Sequence, residues 1–384
     1  MARTVKHFSL HRIAGVELRV VADVEDGVLL VIQVEEAVIR GYACQETRFL
    51  QENGFLTRPW PHRWVTLFVL QDLQPLVRQL RPSEREAGGV EREANAPHST
   101  LHDPRTLPPG GAAALNHRPV VNVYDLADPA GCHVFVNRQA MVKEGYWDDA
   151  LAIQGLLAHE HAHPLAENET TRSSRCLQVE LLIADGSQRP LSIGHRPSAI
   201  SYQPKVHRLL TLLADKLCLY APRELFANEI TIRSGFGEAL LHLDRCTIAH
   251  ASYGVAGRGE LLRQLQQEVT QGNLTPTAAE VLLLIGDLKG YLDLALEVAP
   301  FYRAGKESDA QKLEAALEMA IFPHLEPQVG RAYTALRQQY IALRADLTPA
   351  ELTAWGEGVL DVLAKALVEK GLALQYRLQM ADSR

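Results

Sequence analysis

The sequence is short of cysteine, and its cysteines form no pattern. Cys44, Cys132, Cys176, Cys218 and Cys246 are five in number, widely spaced and without a Cys-x-x-Cys pair. An odd, scattered set argues against a disulfide framework and against paired-thiolate metal motifs, so reduced thiols are expected. Long apolar runs are also missing. The longest, such as Val281-Leu282-Leu283-Leu284-Ile285, fall far short of the ~20 residues that a spanning helix needs. The opening stretch Met1-Ala2-Arg3-Thr4-Val5-Lys6-His7-Phe8 lacks the apolar core of a secretory signal. A reducing, cytoplasmic setting without a membrane span is the resulting expectation. Nor is there an excess of positive charge: 39 Lys and Arg stand against 46 Asp and Glu, for a formal net charge of -7. With no basic cluster interleaved with aromatics, nucleic acid is not expected as a partner.

What is present is ordinary globular material. Of 384 residues, 47% are hydrophobic and 22% charged, enough for two or three cores at roughly 100–200 residues each. Near the N-terminus, Val16-Glu17-Leu18-Arg19-Val20-Val21 and Val28-Leu29-Leu30-Val31-Ile32-Gln33-Val34 are β-branched runs. Asp26-Gly27 between them is a turn signal, so the pair reads as a hairpin. Trp64 to Leu70 reads as a strand, followed by a short helix over Leu73 to Leu80. From Arg81 to Arg118 the composition turns to Gly, Pro, Glu, Arg, Asn and His, which suits a flexible linker or surface loop.

Beyond it, Val120 to Tyr124 and His133 to Asn137 alternate as short strands, split by the turn Asp128-Pro129-Ala130-Gly131. A helix is predicted from about Trp147 to His163, opened by Asp148-Asp149, and helical periodicity returns from Lys205 to Leu243. The rest reads as helices over Leu261 to Thr270, Thr277 to Val298, Ser308 to Ile321, Gln328 to Leu343 and Pro349 to Gln379. Thr275-Pro276 and Thr348-Pro349 look like helix starts.

One of these helices carries chemistry. His159-Glu160-His161-Ala162-His163 is a His-Glu-x-x-His pattern. Its two outer histidines are four residues apart and so project from one face on successive turns. Two imidazoles so placed reach one zinc ion, which takes neutral imidazole nitrogen at ~2.0–2.1 Å. Glu160 lies about 100° round the helix from His159, beside that position, as a general base should. With 15 histidines in the chain the pattern alone is only suggestive, and context strengthens it: Ala152, Ile153, Leu156, Leu157 and Ala158 make the preceding turns apolar. Pro164 directly after His163 predicts that the helix ends or kinks there.

A site of this kind needs another protein ligand. The downstream candidates are His195, His207, Asp215, Glu224, Glu229, Glu238, His242, Asp244 and His250. Only Glu224 has a patterned neighbourhood, the Glu-x-x-Ala-Asn segment from Glu224 to Asn228, with Glu229 as the runner-up. There the chain resembles the gluzincin metallopeptidases, in particular the group of HtpX-like and CAAX-prenyl proteases and their small soluble relatives. The resemblance covers roughly residues 119 to 245 and rests on the two short motifs. It implies that His159, His163 and Glu224 bind zinc and that Glu160 is the catalytic base. In that group the strand before the active-site helix, the place that His133 to Asn137 holds here, is often an edge that pairs with an extended substrate, while an ordinary internal strand fits the sequence equally well. Asn228 stands where the family has Asp, and the membrane helices of the integral-membrane members are absent. His250 and Tyr253 are further candidates, as stabilisers of an oxyanion.

The expected fold is α+β: a zincin-like core of small sheet and active-site helix at 119–256, an N-terminal β-rich segment at 1–80, the linker at 81–118 and an all-helical domain at 257–384. The expected function is a zinc metallopeptidase acting on a peptide or protein substrate, with the helical domain recruiting a protein partner or making a homo-oligomer. Two alternatives stay open: a scaffold with a structural or vestigial zinc site, and a zinc hydrolase of small amides or esters. Glu160 separates the scaffold from the rest, since a structural site gains nothing from an acid beside an open coordination position.

Overall fold

A computed structural model describes residues 4–44, 60–73, 117–126, 128–185 and 203–381, with the side chains of 183–185 and 203–205 left aside. The expected linker at 81–118 and the helix after Leu73 lie almost wholly outside the described residues. The chain divides into two compact units, Met1–Glu167 with Ile230–Leu243, and Asn168–Glu229 with Asp244–Arg384. Among the described residues no helix is long and apolar enough to cross a membrane.

The first unit is built on a five-stranded sheet in the order β1-β2-β3-β5-β4. Its strands are β1 (His7–Ile13), β2 (Val16–Ala22), β3 (Trp64–Leu70), β4 (Val120–Tyr124) and β5 (Gly131–Asn137). β1 and β2 are antiparallel, β2 and β3 parallel, β3 and β5 parallel, and β4 and β5 antiparallel. The segment read as N-terminal and the segment read as catalytic therefore share one sheet. Alternation along the strands puts Leu18, Val20, Val65, Leu67, Cys132, Val134 and Val136 on one face, all fully buried. Two helices that pack on each other, α1 (Val28–Ala43) and α3 (Ala150–Ala162), cover that face, and the short α2 (Arg138–Lys143) follows β5.

The expected hairpin is corrected here. Val28 to Val34 is not a strand but the start of α1, while the true hairpin joins β1 to β2 through Ala14-Gly15. β-branched content suggested a strand, yet apart from Val34 the buried residues Val28, Val31, Ile32, Glu35, Val38, Ile39 and Tyr42 recur at three and four residues, the period of a helix face. Gly27 does take the positive φ, 72°, that a turn reading demands, but it uses it to start a helix.

The second unit is mainly helical. It contains α4 (Glu169–Ser174), β6 (Leu177–Asp185), α5 (Gln203–Asp215), most of α6 (Ala221–Thr231) and α7 (Gly237–Thr270) from Asp244 onward. Then come α8 (Pro276–Tyr291), α9 (Ala295–Arg303), α10 (Glu307–Ala320), α11 (Pro327–Ile341), α12 (Pro349–Val368) and β7 (Leu372–Met380). Thr275 and Thr348 cap α8 and α12 as the sequence predicts, and Thr348 forms a capping box with Glu351. The expected all-helical C-terminal part needs a correction: α12 stops at Val368, Gly371 has φ 76°, and β7 pairs antiparallel with β6 from Leu177↔Met380 to Asp185↔Leu372. Leu372, Leu374, Tyr376 and Leu378 alternate, a period of two that a helical reading passes over.

Candidate metal centre

Helix α3 is fixed before it reaches its chemistry. Asp149 caps it, with Oδ1 accepting from the amides of Leu151 and Ala152, both at 3.0 Å. His242, in the first turns of α7, meets Asp149 Oδ2 at 2.6 Å. Burial works to raise the Asp149 carboxyl, but the Ala152 amide, His242 and the Leu151 amide outweigh it and hold the group below the usual carboxylate range. Farther along, a Cβ on Gly155 would fall 2.8 Å from the Ala239 carbonyl oxygen and 3.1 Å from Leu243 Cβ. The backbones of α3 and α7 thus touch where only glycine fits.

The last turn carries the motif. The rings of His159 and His163 lie edge to face, with centroids 4.6 Å apart at 80°. A ring nitrogen of each and a carboxylate oxygen of Glu160 all lie within 4.8 Å of one another, and Glu160 Oε2 is 3.9 Å from His163 Nε2. His163 is buried, while His159 and Glu160 are half-buried. Two imidazole nitrogens and a half-buried carboxylate that converge in this way could hold a metal ion. The helix ends at Ala162 with His163 as its cap, as Pro164 predicts. His163 nevertheless keeps helical angles (φ -53°, ψ -43°), and one more tight turn follows, the Leu165 and Ala166 amides donating to the Ala162 carbonyl at 2.9 and 3.1 Å.

Sequence reasoning missed Asn122. From β4, its main-chain N–H donates to Glu160 Oε2 at 3.3 Å and its Nδ2 donates to the Glu160 carbonyl at 3.1 Å. The available signal was one amide at an inward position of an otherwise apolar strand. Of the two readings of His133 to Asn137, the internal strand holds: β5 lies between β3 and β4, and among the described residues the edge strand beside Glu160 is β4. His133 points to the opposite face of the sheet from Cys132, its ring 5.3 Å from that of Trp64 and 5.8 Å from that of Phe68.

Of the other candidates, Glu238 is exposed in the first turn of α7, in the first unit with His242, and the rest, including the half-buried Asp215, belong to the second unit. Glu224 is half-buried in the first turn of α6. Asn228 is buried and donates from Nδ2 to the Leu296 carbonyl at 3.2 Å. Glu229, the runner-up ligand, is engaged elsewhere: its Oε2 accepts from Arg303 Nε at 2.6 Å. The same guanidinium donates to the carbonyls of Tyr340, Ile341 and Leu343. Asp244 is buried, and burial with the adjacent Glu297 holds its carboxyl well above the usual range. His207 Nε2 lies 3.0 Å from the Leu181 carbonyl. The rings of His250 and Tyr253 are 6.4 Å apart on α7, with Tyr253 exposed. His195 is outside the described residues. Compared with known proteins, the chain matches no family model, no curated protein and no solved structure.

Proposed function

We propose that the chain is a zinc metallopeptidase in which His159 and His163 bind the ion and Glu160 is the general base. The observation that carries this reading is the convergence of those three side chains within 4.8 Å at the end of one capped helix, directly beside a sheet edge. Bound there, zinc supplies Lewis acidity, polarising a carbonyl and bringing the pKa of water toward ~7. The protein's own groups do the rest. Glu160 takes a proton on its carboxylate and returns it to the leaving amine. Asn122 holds that carboxylate and its main chain, and so limits where the proton is received. Among the described residues β4 is the outer strand of its sheet, and an outer strand suits an extended peptide, a mode that aligns a main-chain amide bond and selects polypeptides over small amides. Glu224 as third ligand and membership of the gluzincins are parts of the proposal that rest on the sequence resemblance.

Glu160→Gln is the test. The change is nearly isosteric and leaves both imidazoles in place, so zinc content is expected to stay as in the wild type. Peptide cleavage, read by mass spectrometry on a mixed-peptide digest, should fall about 10²–10⁴-fold with loss of the base. Cleavage by the wild type that persists unchanged in Glu160→Gln overturns the mechanism. Glu224→Ala, followed by metal analysis, tests the third ligand separately.

A further inference from the structure

The motif's middle histidine faces the other way. His161 is two residues from both His159 and His163, about 200° round the helix, so it points at the sheet. It is fully buried, and its Nε2 lies 2.8 Å from Oε1 of Glu35 on α1, which is also fully buried. Among the described residues His161 Nδ1 has no hydrogen-bond partner. His62, in the segment leading into β3, repeats the arrangement: its Nδ1 is 2.6 Å from the Pro129 carbonyl, and its Nε2 is buried without a partner among the described residues. Cys132, the second residue of β5, is fully buried on the helix-covered face. A ring nitrogen of His62, a ring nitrogen of His161 and Cys132 Sγ lie within 4.8 Å of one another.

Buried nitrogens left without a partner are costly, and here two of them share one small space with a thiol. Histidines that bind metals hold the remote ring N–H on a carboxylate or a main-chain carbonyl, which fixes the tautomer and aims the other nitrogen. His161 has Glu35 for this purpose and His62 has Pro129. The geometry points to a second zinc site whose protein ligands are His62 Nε2, Cys132 Sγ and His161 Nδ1, on the face of α3 opposite to His159 and His163. On binding, the Cys132 thiol gives its proton to solvent and the two imidazoles enter neutral. The thiolate and the Glu35 carboxylate then offset the charge of a divalent ion, so no net charge stays buried. Donors around one zinc ion at ~2.0–2.3 Å stand roughly 3–4 Å apart, so the cluster tightens only slightly. Its ligands come from the entry to β3, from β5 and from α3, and the ion clips the helix to the sheet.

This site is independent of the hydrolase reading, and cobalt(II) distinguishes the two. The full chain loaded with cobalt should show a thiolate-to-metal charge-transfer band in the near ultraviolet. The band should be lost in Cys132→Ala and weakened in His62→Gln, and it should survive in His163→Ala, which removes only the other site. Glu35→Gln should keep the band but weaken cobalt binding about 10–100-fold. A cobalt-loaded wild type without the band overturns the proposal whatever the variants do, and so does a band that survives Cys132→Ala and therefore belongs to another cysteine. If Cys132→Ala fails to fold, judged by circular dichroism, the wild-type spectrum and His62→Gln decide.

Discussion

Asn122 grips Glu160 at both ends: its main-chain N–H donates to the carboxylate at 3.3 Å and its side-chain amide donates to the main-chain carbonyl at 3.1 Å. One residue of an edge strand thereby ties the proposed base to the sheet. In Asn122→Ala the main-chain contact survives and the side-chain contact is lost. Zinc content is expected to hold while peptide cleavage drops about 10–100-fold, the usual effect of losing a group that orients a reacting one. The loss should fall on kcat, because Asn122 acts through Glu160. A change confined to KM would place Asn122 on the substrate and refute its positioning role.

The motif itself was legible because a period of 3.6 puts residues four apart on one face, whatever the surrounding fold. Pro164 as the stop, Asp149 at the start, and Thr275 and Thr348 as caps were legible for the same reason: caps act within a few residues. α1 was misread because β-branched residues in a buried helix look like a strand until the spacing of the buried set is known. Whether His133 to Asn137 is an edge or an internal strand stayed open in the sequence because strand order is a long-range property, and β5 precedes α3 in sequence without lying at the edge. The cluster of His62, Cys132 and His161 had no signature at all. Its members are 70 and 29 residues apart, and only the pairing of β3 with β5 beneath α3 brings them together.

Gly155 gives a test of how α3 is held. A methyl group there would meet the Ala239 carbonyl oxygen at 2.8 Å and Leu243 Cβ at 3.1 Å. Alanine brings roughly 1 kcal/mol of helix propensity, whereas overpacking of this kind costs about 1–3 kcal/mol and main-chain atoms give way least. Gly155→Ala is therefore expected to lower the midpoint of thermal unfolding despite being the better helix former. An unchanged or raised midpoint would mean that α3 and the start of α7 are not in main-chain contact in solution.

Asp149 links the stability of α3 to pH, and the sign follows from its surroundings. The folded state holds this carboxyl below its ordinary value, against the effect of burial, through the Ala152 and Leu151 amides and His242. A group with a lowered folded pKa adds stability that is present above its unfolded value, about 3.9, and is lost as pH falls through the folded value. Asp149→Asn keeps an oxygen that caps the helix and removes the charge, while Asp149→Ala removes both. Urea midpoints should place the wild type above the Asn variant at pH 7, with the gap closing as pH is lowered toward 3. The gap between the Asn and Ala variants, about 1 kcal/mol for the loss of a cap, should stay nearly constant across that range because neither side chain titrates. A gap between wild type and Asn variant that does not change with pH would show that the charge on Asp149, and with it the contact at 2.6 Å to His242, contributes nothing to holding the helix.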